Sequence, residues 1–298
     1  MSRPLFALSV LATALAYGQP LQAAEATATG TLPAVNASTP IDSLAEDAAV
    51  GPYGQPEWTT HRRFASTRVY LQQDPGEIGF EQWWRARTYK DSAPEHRFQE
   101  EIEIGLPGRF QLDLYYTWAN TDHHTHFDEA SVELRYALAD WGKIPGNPTL
   151  YGEYAYANHD YNGDTLEWKL LLGDDVGKRW HWGLNFIYEG EIGHSRAEEF
   201  AAAAGLSYTI IDQVLGAGIE MQYKHETTMG DRNNPEVQFE IGPSIQWRPA
   251  KNIHLDLVAM FGTTAQGPKV ESFVIFGWDF GGGDSGDHHY RPTAGFQH

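Results

Sequence analysis

Ala130-Ser-Val-Glu-Leu-Arg-Tyr-Ala-Leu138 decides the fold. Ala130, Val132, Leu134, Tyr136 and Leu138 are apolar, while Ser131, Glu133, Arg135 and Ala137 stand between them. An alternation of two is the period of a β-strand, whose successive side chains point to opposite faces. The same pattern recurs on both sides of this stretch. Phe110, Leu112, Leu114, Tyr116 and Trp118 alternate with Gln111, Asp113, Tyr115 and Thr117. Further along, Leu215, Ala217, Ile219, Met221 and Tyr223 alternate with Gly216, Gly218, Glu220 and Gln222. Twelve such segments are expected, at about 77–89, 96–105, 110–119, 128–139, 148–157, 165–173, 179–190, 198–210, 214–225, 236–247, 253–263 and 270–280.

Two all-β architectures accommodate two-faced strands. A soluble sandwich buries the apolar faces and wets the polar ones. A membrane barrel turns the apolar faces to lipid and the polar ones inward. The second is favoured on three grounds. The polar faces are rich in Gly, Ser, Ala and Gln, which suits a crowded interior. Trp84, Trp118, Trp180, Trp182, Trp247 and Trp278 sit toward strand ends, where amphipathic rings meet a membrane interface. Short turns also alternate with longer polar loops, although 140–147 is long for a turn on the short side. The expected fold is therefore all-β: a closed, antiparallel, up-and-down transmembrane β-barrel of twelve strands.

Composition narrows the function. The 298 residues carry 21 Lys and Arg against 40 Asp and Glu, a net charge of −19, with no cysteine. So acidic a chain lacks the basic footprint a nucleic-acid binder needs. Mean hydropathy is −0.47, and beyond the N-terminus no apolar run approaches the ~20 residues of a spanning helix. At the N-terminus, Arg3 precedes an apolar stretch from Leu5 to Tyr17 and small residues around Ala24-Glu-Ala26, the pattern of a secretory signal peptide over 1–26. Residues 27–75 are expected to form a flexible periplasmic lead-in, with a short strand possible at Phe64–Leu71. Joined to the barrel, that strand would make the count odd, so a periplasmic or lumen-inserted segment is preferred. The barrel then covers 76–280, and 281–298 form a periplasmic tail.

The last segment, Val270-Glu-Ser-Phe-Val-Ile-Phe-Gly-Trp-Asp-Phe280, resembles the C-terminal assembly signal of Gram-negative outer-membrane β-barrels, with Phe276, Trp278 and Phe280 as its aromatic positions. Together with the signal peptide, the resemblance covers about two thirds of the chain. It departs from the pattern in that Phe280 is followed by 18 further residues. In size and build the chain is also similar to outer-membrane channels associated with aromatic-degradation operons. The resemblance implies residence in the cell outer membrane, contact with outer-membrane lipid and lipopolysaccharide, and delivery by the barrel assembly machinery.

If the apolar faces meet lipid, the lumen receives Glu81, Arg85, Arg87, Arg97, Glu101, Glu103, Asp113, Glu129, Glu133, Arg135, Glu153, Glu167, Lys169, Glu189, Glu220, Lys224, Glu240 and Asp256. Two readings stand side by side: an ion-pair lattice filling a narrow barrel, or a water-filled passage whose carboxylates set selectivity for a small solute. A closed structural barrel, blocked by ion pairs or by the lead-in, is the alternative to a channel. A rim enzyme is disfavoured, because adjacent His194 and Ser195 would face opposite sides of a strand and nothing arranges Asp122, His123 and His124 for proton transfer. His123, His124, His126, His288 and His289 read as solvated histidines, and no cofactor or metal centre is expected.

Overall fold

A computed structural model describes residues 44–121, 124–193 and 195–280. Twelve strands close into one barrel: β1 (Ile78–Thr88), β2 (Glu95–Leu106), β3 (Phe110–Thr121), β4 (His124–Ala137), β5 (Thr149–Ala157), β6 (Asp164–Val176), β7 (Trp180–Ile192), β8 (Glu198–Ile211), β9 (Leu215–Thr227), β10 (Glu236–Ala250), β11 (Ile253–Gly262) and β12 (Val270–Phe280). Each pairs antiparallel with its sequence neighbours, and β12 returns to β1 with Phe280 opposite Ile78 and Val270 opposite Thr88. Closure satisfies the backbone of both would-be edge strands, which is the condition for crossing lipid with strands.

The alternation in the sequence is the alternation of faces. In β4, Val132 and Leu134 are exposed on the outside, whereas Ser131, Glu133 and Arg135 are buried within. Outward leucines, isoleucines and valines make an apolar band. Aromatic rings border it: Trp180, Tyr208, Trp247, Trp278 and Phe280 near the turn end, Trp118, Tyr156, Tyr188, Phe200 and Phe261 near the loop end. This placement is that of a lipid-facing belt between two interfaces.

The described part of the lead-in forms no strand over Phe64–Leu71. It enters the barrel from the turn end and fills that half of the lumen. Trp58, Phe64, Tyr70 and Leu71 have almost no solvent exposure. Only the two-residue pairing Ala49–Val50 with Gln55–Pro56 is extended ladder. Burial of these four side chains is worth roughly 1.5–3 kcal/mol each.

Inward glycines make the seat. A Cβ at Gly205 would lie 2.3 Å from Phe64 Cδ1, one at Gly173 2.4 Å from Val69 Cγ1, and one at Gly183 2.8 Å from Thr67 Cγ2. The long turn after β4 has a matching task. Trp141 packs edge-on against Trp58 and Tyr70, at centroid distances of 5.8 and 5.3 Å. The Tyr70 hydroxyl donates to Ala139 O at 2.8 Å. That turn is a bracket under the plug, which accounts for its length.

Gly205→Leu should expel Phe64 from its seat while leaving the barrel intact. Overpacking of this kind costs about 1–3 kcal/mol, so a thiol introduced as Ala65→Cys should react with maleimide roughly tenfold faster or more in that background. Unchanged labelling, with the heat-modifiable band retained on a gel, would mean that Phe64 does not depend on Gly205.

Candidate functional site

The lumen has two levels. At the lower one, wall side chains grip the plug by its charges and its backbone. Arg62 donates from Nε to both Glu81 oxygens at 2.9 and 2.7 Å, and its Nη2 lies 2.6 Å from Glu81 and 3.5 Å from Glu101 and Glu103. The guanidinium also stands 4.4 Å over the Trp83 ring. Arg68 reaches Glu101 at 3.3 Å. Arg63 donates to Ser207 Oγ and Thr209 Oγ1, each at 2.7 Å, and lies 3.4 Å from Glu46. Glu220 accepts from the backbone N–H groups of Ala65 and Ser66 at 3.2 and 2.7 Å. Asn185 both accepts from Arg68 N and donates to Arg68 O, at 2.7 and 2.8 Å, imitating one rung of a ladder. Gln111 Oε1 accepts from the N–H groups of Gln72 and Gln73.

The upper level is a cup of about 480 Å³, open toward the loops. Its floor is plug residues Ala65, Ser66 and Arg68 with Trp83 and Phe273 of the wall. Charge is segregated around it. Arg85, Arg87 and Arg97 line the β1–β2 side, while Glu153, Glu167, Glu189, Glu199 and Glu226 line the β5–β9 side. The arginines are unequally neutralised. Arg87 lies 2.8 Å from Glu271, and Arg97 meets Glu129 as well as Asp128 at 3.2 Å. Arg85 has only a 3.6 Å approach to Glu271 and, among the described residues, no hydrogen bond.

Register explains the acidic side. Glu103 faces Asp113, Asp113 faces Glu133, Glu133 faces Glu153, Glu153 faces Glu167 and Glu167 faces Glu189. Glu189 then faces Glu199, which faces Glu226, which faces Glu236. Nine carboxylates thus follow one another across nine strands, from beneath the plug to the loop rim. Like charges set directly opposite destabilise a sheet. The lower members are braced, with Arg135 Nη2 2.6 Å from Asp113 and its Nε on Glu133. Higher up the cations thin out to Lys169, 2.6 Å from Glu167, and Lys224, 3.8 Å from Glu199. Glu189 has no ion pair or hydrogen bond among the described residues.

Every charged residue expected in the lumen is placed on an inward face, but they do not form one site. Glu81, Glu101, Glu103, Asp113, Glu133, Arg135, Glu220 and Asp256 belong to the buried lower level, and Glu240 to the wall beside the cup. Arg85, Arg87, Arg97, Glu129, Glu153, Glu167, Lys169, Glu189 and Lys224 line the cup itself. Phe276, Trp278 and Phe280 face outward. Sequence reasoning missed the inward apolar patch of Trp83, Val258, Met260, Phe273 and Ile275, and the buried histidines His181 and His254. Parity along β11 and β12 places these inside, so the signal was present once an outward face had been chosen. Ser195 lies at the cup rim, bonded to Glu191. His124 and His126 lie on β4. Asp122, His123, His194, the signal peptide and the tail with His288 and His289 lie outside the described residues.

No protein-family model and no curated protein sequence matches the chain. Solved structures do. An outer-membrane channel from Pseudomonas putida F1 superposes with a TM-score of 0.51 and 12% identity, over 71% of this chain and 98% of its own. The NanC porin gives 0.49 and 13%, over 68% and 98%. The KdgM porin, solved in complex with disordered oligogalacturonate, gives 0.47 and 11%, over 68% and 99%. The chain thus has the fold of Gram-negative outer-membrane β-barrels. Fold alone does not assign an activity.

Two predictions follow from the lower level. Arg62→Ala removes the cation shared by Glu81, Glu101 and Glu103, and loss of one partner from such a group costs about 3–5 kcal/mol. The urea midpoint of the refolded barrel should fall accordingly. A midpoint within error of the parent would mean that the carboxylates find other partners. The second concerns pH at the turn end. Burial alone would raise the Glu46 carboxyl, yet hydrogen bonding from His181, the Arg63 charge and the Thr209 hydroxyl hold it down at about 2. Its contribution is fully present above its ordinary 4.5 and is lost as pH falls toward about 2. Burial raises Asp47 to about 6, so its ionisation weakens the same seat as pH rises through that value. A spin label at Ala48→Cys, a unique thiol in a chain without cysteine, should be most immobile at about pH 4 and mobile near pH 2. Glu46→Gln should flatten the acid limb, and an unaltered limb would assign it elsewhere.

Proposed function

We propose that this protein is an outer-membrane passage for small polar solutes, entered from the loop end and throttled at the turn end by its own N-terminal segment. The observation that carries the reading is the row of nine directly opposed acids. A barrel selected for stability alone would alternate charges across strands, and a lattice serving only as filler would pair Glu189. Such a row lowers the energy of a cation along the wall, so the passage is cation-preferring. Passage is passive, since nothing among the described residues points to a bound energy source. The short turns and both barrel ends lie together, so the turn end is the periplasmic side for a chain exported by a cleaved signal peptide. The outward aromatic positions of β12 serve recognition by the assembly machinery, and the belt meets lipid and lipopolysaccharide.

One observation favours the second reading, a closed structural barrel: the lower lumen is packed with side chains as buried as any core. Planar-bilayer recording separates the two. The parent should show small, cation-selective steps in a KCl gradient. Arg62→Ala with Arg68→Ala should enlarge them several-fold by loosening the plug. Silence from both proteins, each shown to be folded by heat-modifiability, would sink the passage and leave the closed barrel.

A further inference from the structure

We propose that the loop-side cup is a binding site for short zwitterionic peptides, with the carboxylate held by Arg85 and the ammonium by Glu189. The inference rests on the reading of the cup as the entrance and names the class of solute that it selects. Three observations converge. Arg85 and Glu189 are weakly neutralised charges of the cup, one approached at 3.6 Å by Glu271 and the other with no ion pair or hydrogen bond among the described residues. They stand on β1 and β7, six strands apart in a ring of twelve, and so face one another across the lumen. Each lies three residues from the loop end of its strand. Between them the floor offers an apolar shelf, Trp83 against Phe273 edge-on at 6.3 Å.

The size of the gap selects the ligand. Twelve strands about 4.8 Å apart and tilted about 40° close into a backbone cylinder roughly 24 Å wide. An extended arginine and an extended glutamate reaching inward leave on the order of 12 Å between their heads. An amino acid is too short to touch both. An extended dipeptide spans about 7 Å, and a charge-assisted hydrogen bond of about 2.8 Å at each end closes the distance. The cup volume of about 480 Å³ admits such a molecule and falls in the ordinary range for small-ligand sites. A side chain on the second residue, next to the carboxylate at Arg85, would lie on Phe273, which directly faces Arg85 in register. Glu167 and Glu199, on either side of Glu189 in register, add attraction for the ammonium.

Titration calorimetry on the refolded full-length chain tests this with three probes: Ala-Phe, its N-acetyl derivative and its C-terminal amide. Ala-Phe should bind at least tenfold more tightly than either capped peptide. Arg85→Gln should erase the preference for Ala-Phe over the amide, and Glu189→Gln the preference over the acetyl peptide, with both variants still heat-modifiable. Equal binding of all three, binding by none, or preferences untouched by the two substitutions would each overturn the site. Bilayer recording keeps this apart from the passage itself. Steps without peptide binding would remove the site and leave the passage, whereas peptide binding to a silent barrel would uphold the site and remove the passage.

Discussion

The guanidinium of Arg62, set among Glu81, Glu101 and Glu103 and over Trp83, is the interaction on which the rest of the interior depends. Three carboxylates on neighbouring strands cannot stay together in a dry lumen without a cation. The wall itself has too few. Arg135 is already committed to Asp113 and Glu133, so the missing charge comes from the segment ahead of the barrel. Once Arg62 is in place, the chain around it is led through the lumen. Its backbone then meets Glu220, Asn185 and Gln111, and its apolar side chains fall onto inward glycines.

The plug and the cup are therefore one construction. The plug neutralises the lower acids and supplies the floor that makes an open tube into a cup. Above that floor the same excess of acid continues with fewer cations. The opposed arginines of β1 and β2 give the cup a direction.

Much of the barrel was legible along the chain. Ala130–Leu138 shows its two faces because a strand repeats every two residues, and turns such as Leu106-Pro-Gly-Arg109 mark where it ends. The strands lie within a few residues of those expected. Phe64–Leu71 has the composition of a strand but no partner strand to pair with. Its hydrogen bonds go instead to wall side chains, and no local pattern announces that. The long turn at 140–147 looked anomalous for the same reason, since Trp141 serves a segment about 70 residues earlier.

By itself the sequence determined the all-β class, the even strand count, and which residues meet lipid and which face inward. All of these follow from local periodicity and local turn chemistry. Only the tertiary structure decided that the segment over 58–73 occupies the lumen and that nine acids stand shoulder to shoulder. Those facts depend on register between strands and on contacts such as Arg63 with Thr209, 146 residues apart. A one-residue slip in any pairing between β2 and β10 would break the acid row while leaving every strand as readable as before.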